Sequence, residues 1–325
     1  MIQSELVQKR VTYIQDWSSY DKAQTRQKEL FMKLLFNLSR IIPEEPKRIG
    51  KGRPKLPIRE VIFASALKVF TTYSLRRFMT DIRYSKDLGY ITHVPHFSMV
   101  SYYMEKEELT PILKELIDTS SLPLRSVESS FAVDSTGFRT TKFNDYCREK
   151  HKLNKRHKWI KTHLCCGVKT NIVTAVEISV EHAGDSPYLD PLLTSTNENG
   201  FKLNEVSADK AYSSQYNMER IGELGAIPFI PYKSNTRIPE GGNMWSTMYN
   251  FFTYRREDFM KHYHKRSNIE STNNMIKTKF TDLVRSKNKT AQINEVLLKV
   301  LCHNICVLIQ EMFELGIEPS FNMVV

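Results

Sequence analysis

One stretch of the chain places residue types that could bind anions or metal ions at helical spacing. Its members are Tyr263, Arg266, Glu270 and Lys277. An α-helix turns by about 100° per residue, so the four side chains would project within about 60° of one another. The simplest interpretation is a solvated helix face on which Arg266 and Glu270 form an i,i+4 ion pair. The alternative is a functional helix that docks through Ile269, Ile276 and Phe280 and presents its polar edge to a cleft.

Two further acidic residues are predicted at the ends of short buried strands. One apolar run ends on Asp134, before an expected turn over residues 135–137, and a second run over residues 205–208 ends on Asp209. These residues and Glu270 lie far apart in the sequence, so only the fold can bring them together. If the two strands are neighbours in a sheet, their ends would lie close together beneath the helix that carries Glu270.

Three carboxylates in one pocket would repel one another, because like charges and burial both raise the pKa of a carboxyl group. Divalent cations remove this conflict, and hard oxygen ligands favour Mg²⁺ or Mn²⁺. Two such ions about 4 Å apart can activate a water or a 3′-hydroxyl and stabilise the leaving oxygen of a phosphodiester. Asp134, Asp209 and Glu270 are therefore candidate metal ligands for phosphoryl chemistry.

The elements that must position these acids follow a β-β-β-α-β-α-β-α order, in which the first three strands form an antiparallel meander. In chain order we expect strands over residues 131–134, 162–168 and 172–180, a helix over 185–193, a strand over 205–208, a helix over 213–224, a strand over 226–231, a loop over 233–248, and helices over 263–277 and 293–313.

The N-terminal part of the chain differs in composition. Residues 1–45 predict a helical arm, and residues 46–125 combine a basic linker rich in Gly and Pro with three helices. Arg53 in the linker could enter an A·T-rich minor groove, although a plain solvated connector fits equally. The helices fit a helix-turn-helix DNA-binding segment or a small dimerisation unit. We place an α/β domain at 126–313 and a C-terminal tail at 314–325.

The overall composition is that of a soluble globular protein with a polyanionic partner. Hydrophobic residues make up 41% of the chain, and the formal net charge is +11. Lys and Arg gain free energy by releasing counterions from nucleic acid, which makes DNA or RNA a better candidate than a membrane surface. Five cysteines without a CxxC pair indicate reduced thiols in a reducing compartment. With no signal-peptide pattern at the N-terminus, we expect a cytoplasmic protein.

These motifs resemble those of a known family. The chain resembles the DDE transposases of the insertion-sequence type, which have a ribonuclease H-like catalytic core. The resemblance is carried by Phe-Ala-Val-Asp134-Ser-Thr-Gly, by Ser-Ala-Asp209-Lys-Ala-Tyr212, and by the family's YREK signature, Tyr263-x2-Arg266-x3-Glu270-x6-Lys277. It covers about residues 129–313. The chain departs from the common pattern at Ala211, where relatives often have Gly.

The resemblance implies an α/β fold in which a mixed five-stranded sheet is flanked by helices and preceded by an all-α DNA-binding segment. It also implies roles for individual residues. The three acids would hold two Mg²⁺ or Mn²⁺ ions. Arg266 and Lys277 would bind phosphates beside the cleaved bond, and Tyr263 would contact the DNA backbone. Lys210, next to Asp209, is a further candidate DNA contact, as is Arg53.

The implied activity is that of a DNA transposase. A homodimer or higher oligomer would bind the terminal inverted repeats of its own element, cleave at their ends, and transfer the 3′-hydroxyls to target DNA. We expect such a protein to act at the nucleoid. Two other interpretations stay open: a catalytically silent, domesticated DNA-binding protein, and a metal-dependent nuclease that cuts DNA without strand transfer.

Overall fold

A computed structural model describes residues 16–44, 55–141, 159–180 and 182–321. Arg53 lies outside the described residues, and so does the basic stretch 142–158. The α-helices are α1 Trp17–Thr25, α2 Gln27–Ser39, α3 Ile58–Thr71, α4 Met79–Asp87, α5 Phe97–Met104, α6 Leu109–Ser121, α7 Leu189–Glu198, α8 Gln215–Glu223, α9 Met244–Tyr254, α10 Arg256–Tyr263, α11 Ser267–Phe280 and α12 Lys289–Glu314. The strands are β1 Ser130–Arg139, β2 Trp159–Gly167, β3 Val173–Ser179, β4 Glu205–Ala208 and β5 Ile227–Phe229.

The five strands form one mixed sheet in the order β3-β2-β1-β4-β5. The first three strands pair antiparallel, which confirms the predicted meander. The strand β4 pairs with β1 in parallel, and β5 pairs with β4 in parallel. The prediction that β1 and β4 are neighbours is therefore confirmed. The chain forms a mixed five-stranded sheet that is flanked by helices and preceded by further helices.

The first strand is longer than its sequence pattern predicts. The turn expected directly after Asp134 is wrong, because β1 continues to Arg139 and pairs with β2 from Phe131 to Arg139. Gly137 is not a turn residue here: a Cβ at this position would lie 3.3 Å from Cδ1 of Trp159 on the neighbouring strand. The end of β1 also forms an isolated parallel bridge from Arg139 to Leu283. Asp134 thus lies inside β1, where it still pairs with β2, whereas the pairing of β1 with β4 ends one residue earlier.

The two faces of the sheet bury two separate hydrophobic clusters. Alternate residues of β1 point to opposite faces. Ala132 belongs to a cluster with helices α1 to α6, α11 and α12, whereas Phe131 and Val133 belong to a cluster with α7, α8 and α9. The N-terminal helices are therefore packed into one core with the C-terminal helix. The predicted domain boundary between residues 125 and 126 stays a prediction.

The C-terminal helix α12 is the central helix of the first cluster. Asn304 is fully buried, and its side chain bonds both the N–H of Val173 at 2.9 Å and the carbonyl oxygen of Val173 at 2.7 Å. These bonds satisfy backbone groups on β3, an edge strand. By length and composition alone, α12 is the one helix among the described residues that could cross a membrane, and 83% of its most apolar window is buried inside the protein.

The remaining predicted elements differ in detail from the structure. The helices expected between residues 57 and 106 are α3, α4 and α5. The loop expected over 233–248 is wrong in its last part, because Asn243 caps a helix that begins at Met244 and accepts a hydrogen bond from the N–H of Ser246. Trp245 therefore lies on α9, where its ring centroid is 4.5 Å from that of Tyr232.

Candidate active site

The spacing of the residues from Tyr263 to Lys277 predicts a single α-helix. The structure shows that this prediction is wrong. The helix α10 ends at Tyr263, residues His264–Arg266 form a 3₁₀ turn, and α11 begins at Ser267. The apolar stripe of Ile269, Ile276 and Phe280 is buried in the first cluster. The predicted docking flank is therefore confirmed, although the polar residues come from three consecutive elements.

Arg266 lies at the centre of the three predicted acids. Its Nη1 is 2.6 Å from Oε1 of Glu270, and its Nη2 is 3.4 Å from Oδ1 of Asp134 and 3.9 Å from Oδ2 of Asp209. The Arg266 side chain is only 16% exposed. The simple interpretation of an Arg266–Glu270 ion pair is thus correct as far as it goes, but the same guanidinium also contacts both distant aspartates.

The two aspartates lie side by side because of the parallel pairing of their strands. The β1–β4 ladder ends with Val133 opposite Ala208. Asp134 follows Val133 and Asp209 follows Ala208, so the two aspartates come directly after the last paired residues. Asp209 then caps a 3₁₀ turn by accepting a hydrogen bond from the N–H of Lys210. Burial raises the pKa of Asp134 above its ordinary value, and the opposing effect of Arg266 only partly offsets it.

Electrostatics favour the charged form of Arg266. Burial by itself would lower the pKa of Arg266, but the carboxylates of Asp134 and Glu270 outweigh this effect and raise it. Three carboxylates surround one guanidinium, so the pocket carries an excess of negative charge when all three are ionised. Such a pocket is suited to bind further cations.

The helix α11 is fixed to the β2–β3 hairpin by two polar side chains. Asn268 donates a hydrogen bond to the carbonyl oxygen of Val168 at 2.9 Å, and Thr272 donates to Oδ1 of Asn171 at 3.1 Å. These residues flank Glu270 by two positions on either side, so they anchor the helical turn that carries its carboxylate. Their role is not visible in the sequence, since an isolated Asn or Thr on a helix carries no distinctive signal.

A second group of residues, which also has no sequence signal, holds the 3₁₀ turn in place. Glu205, at the start of β4, accepts a hydrogen bond from Nζ of Lys265 at 2.6 Å and lies 3.0 Å from Nδ1 of His262. The His262 ring also stacks on Phe229 with centroids 4.5 Å apart. We name Glu205, His262 and Lys265 the bracket. It ties the backbone on either side of Tyr263 to the strand that leads to Asp209.

The other predicted site residues lie at different distances from the acids. Tyr263 is partly buried, and burial raises its pKa, so it is a neutral hydrogen-bonding group at neutral pH. Lys277 has its Nζ 5.6 Å from the ring centroid of Phe138, and burial lowers its pKa although Asp282 and Asp134 oppose that change. Lys210 is exposed beside Asp209. Arg53 cannot be placed, as it lies outside the described residues.

The donor set fits divalent cations. Asp134, Asp209 and Glu270 offer only carboxylate oxygens, the ligands that Mg²⁺ and Mn²⁺ prefer, and all three already surround one cationic group. In the side-chain positions of this structure, no group of three or more His, Cys, Asp or Glu among the described residues is arranged to hold a metal ion. The three carboxylates converge on the guanidinium instead.

Comparisons with known proteins agree with this geometry. A family model described as a transposase DDE domain matches residues 125–305, which include β1 to β5 and all three acids. A search of curated proteins finds no match to the chain. Because the family model covers more than half of the sequence, and because the acids that the fold gathers lie within it, the chain belongs to the transposase DDE domain family.

Proposed function

We propose that the protein is a DNA transposase that binds the ends of its own element, cleaves phosphodiester bonds there, and transfers the 3′-hydroxyl ends to target DNA. The observation that carries this proposal is the convergence of Asp134, Asp209 and Glu270 on one guanidinium, each with an oxygen within 4 Å of it. Membership of the transposase DDE domain family supports the same reaction class. The strand order supports a ribonuclease H-like core of the insertion-sequence type.

The three acids would hold the divalent cations that this family generally uses. When bound, two Mg²⁺ or Mn²⁺ ions would supply activation of the attacking hydroxyl and charge stabilisation at the leaving oxygen. The protein's own part is positional: strand pairing places the two aspartates side by side, and the contacts of Asn268 and Thr272 fix the helix that carries Glu270.

Arg266, Lys277 and Tyr263 would bind the DNA backbone beside the scissile bond. Arg266 offers a planar, permanently charged fork that matches phosphate oxygens. Burial disfavours the charge on Lys277, and a phosphate nearby would compensate for it. Tyr263 keeps its hydroxyl proton and can donate a hydrogen bond to a phosphate oxygen.

The remaining DNA contacts would come from the N-terminal helices. Arg76 lies 4.8 Å from the ring centroid of Phe97, and Arg77 lies 5.2 Å from that of Tyr73. Both arginines are exposed near α4 and α5, which suits contacts with the phosphates of a terminal inverted repeat. The net charge of +11 supports DNA as the partner. We further propose that the protein acts in the cytoplasm, at the nucleoid, as a homodimer or higher oligomer on DNA.

One incubation separates this function from its alternatives. Purified protein is mixed with Mg²⁺, a labelled element end and a plasmid. Labelled ends joined to the plasmid support transposition, whereas cuts without joining indicate a nuclease. Binding without any cleavage, by protein with a cooperative thermal transition, would leave only a catalytically silent DNA-binding protein.

A substitution tests the assignment of the acids. Asp134→Asn should retain duplex binding and lose cleavage by a factor of at least about a thousand, because a neutral amide removes one charged ligand. Asp21→Asn, on the exposed surface of α1, is the matched control and should cleave at the wild-type rate. Undiminished cleavage by Asp134→Asn would remove Asp134 from the proposed site.

A further inference from the structure

Arg266 contacts the same oxygen atoms that a divalent cation would need. Within the described residues, it is the basic side chain that forms ion pairs with all three acids, at 2.6, 3.4 and 3.9 Å. Lys265, its neighbour, is instead paired with Glu205. A positive charge held against these carboxylates attracts their oxygens, and it also opposes the entry of another cation.

The guanidinium also has one unsatisfied donor. The Nε–H of Arg266 is buried and has no hydrogen-bond partner in the structure. A buried donor without a partner costs free energy, and an anion that reached it would relieve this cost. A DNA phosphate can accept two parallel hydrogen bonds from an arginine fork, so it can compete with the carboxylates for this side chain.

The backbone on both sides of Arg266 is held by side-chain hydrogen bonds. The bracket fixes the residues on the N-terminal side of Arg266 to β4, and Asn268 fixes α11 on its C-terminal side. A change of partner from carboxylate to phosphate would therefore involve the Arg266 side chain, while the bracket and Asn268 hold the backbone on both sides of it.

We propose that Arg266 is a positioning residue that holds Asp134, Asp209 and Glu270 together before catalysis and releases them when a DNA phosphate takes its guanidinium. Divalent-cation binding and DNA binding then strengthen each other, because each removes the competitor of the other. This inference rests on the proposed function only in taking the three acids as the metal site. A residue that only bound phosphate would not compete with the divalent cation, whereas Arg266 in this proposal does.

The test is a titration of full-length protein with Mn²⁺ at pH 7.5, with bound Mn²⁺ measured by electron paramagnetic resonance. Without DNA, Arg266→Gln should bind Mn²⁺ about ten- to a hundred-fold more tightly than the wild type, the range expected from losing a charge-assisted contact. Arg255→Gln is the matched control, since Arg255 pairs with Asp258 outside the pocket, and its affinity should equal that of the wild type.

A second arm adds a short duplex that carries an element end, with Mn²⁺ binding to the duplex alone subtracted. The duplex should raise the Mn²⁺ affinity of the wild type and leave that of Arg266→Gln unchanged. If Arg266→Gln does not fold, Arg266→Lys takes its place, because it keeps a cation but loses the fork and should bind Mn²⁺ a few-fold more tightly than the wild type.

The outcomes distinguish two kinds of failure. Equal or weaker Mn²⁺ binding by the folded Arg266 variant would overturn the inference and leave the metal site in place. Mn²⁺ binding by Asp134→Asn that matches the wild type, or no Mn²⁺ binding by any of the proteins, would instead refute the metal site on which the proposed function depends, and the inference with it.

Discussion

The bracket leads to a prediction that separates positioning from stability. Replacing Glu205 by Gln keeps the shape of the side chain but removes the charge that binds Lys265 at 2.6 Å and His262 at 3.0 Å. A buried charge-assisted hydrogen bond contributes about 1.5–3 kcal/mol, but both partners are 38% exposed, which screens the interaction. We therefore expect Glu205→Gln to lower the free energy of unfolding by about 1 kcal/mol and the melting temperature by about 2 °C.

The effect on cleavage should be larger than the effect on stability. The bracket fixes the 3₁₀ turn from which Arg266 reaches the acids, and a shift of about 1 Å in a positioned group can cost a hundred-fold in rate. We expect the Mg²⁺-dependent cleavage rate of Glu205→Gln to fall by about ten- to a hundred-fold. Glu223→Gln is the control, because Glu223 pairs with Arg220 at 3.1 Å while 65% exposed, and both quantities should stay at the wild-type values.

The pH dependence of stability gives this prediction a second check. Burial raises the pKa of Glu205, but hydrogen bonds and charge from Lys265 and His262 outweigh it, so the pKa lies below the ordinary 4.5. A depressed carboxyl pKa stabilises the folded state above that ordinary value, and the contribution is lost as the pH falls through the folded pKa. The melting temperatures of the wild type and Glu205→Gln should therefore differ at pH 7 and converge as the pH falls below 4.5 and through the folded pKa of Glu205. Wild-type cleavage and stability in Glu205→Gln at pH 7 would show that Arg266 is positioned without the bracket.

Two further predictions concern the core on which the site is built. Burial raises the pKa of Asp118 from 3.8 to about 7, so the folded state holds an extra proton between these values and stability falls as the pH rises through them. In the wild type, the free energy of unfolding should therefore fall by on the order of 2 kcal/mol between pH 5 and pH 8. Asp118→Asn, which keeps an acceptor for Ser195, should remove this fall. A pH slope of the free energy of unfolding in urea that is the same in the variant and the wild type would contradict the prediction. Gly167→Ala should cost on the order of 2–4 kcal/mol in the free energy of unfolding, because the new Cβ would lie 2.3 Å from Cδ of the buried Glu128. Gly184→Ala, where an added Cβ meets nothing within 4 Å, should melt like the wild type.

The sequence was sufficient to predict that the three acids meet, because that result depends on strand order. Short apolar runs locate β1 and β4, and the connection between them allows parallel neighbours. The extent of β1 was not predictable in the same way. Residues 135–137 have the composition of a turn, but pairing with β2 from Phe131 to Arg139 outweighs that local preference. Gly137 is there to make room for Trp159, a cross-strand contact that no local pattern reveals.

The bracket was invisible for a related reason. Glu205 lies far in sequence from His262 and Lys265, and each of the three is an ordinary residue for a strand end or a polar helix face. No spacing rule joins them, since their proximity results from packing α10 against β4 and β5. The residues proposed to act in the reaction can thus be predicted from their types and spacing, whereas the residues that position them are identified only from the fold.

The break in the helix changes how the polar residues reach the pocket. The backbone of Tyr263, His264 and Arg266 stays right-handed helical, so the chain keeps its direction through the 3₁₀ turn. A 3₁₀ helix turns by about 120° per residue instead of about 100°, so a three-residue turn adds about 60° of rotation. In an α-helix Tyr263 and Arg266 would point about 60° apart, so the added rotation brings the two side chains onto one line. Arg266, next to α11, keeps its contact with Glu270. The 3₁₀ turn therefore places the Tyr263 ring in line with the guanidinium that contacts the three acids, so that in the proposed reaction both groups would contact the DNA backbone from the same side.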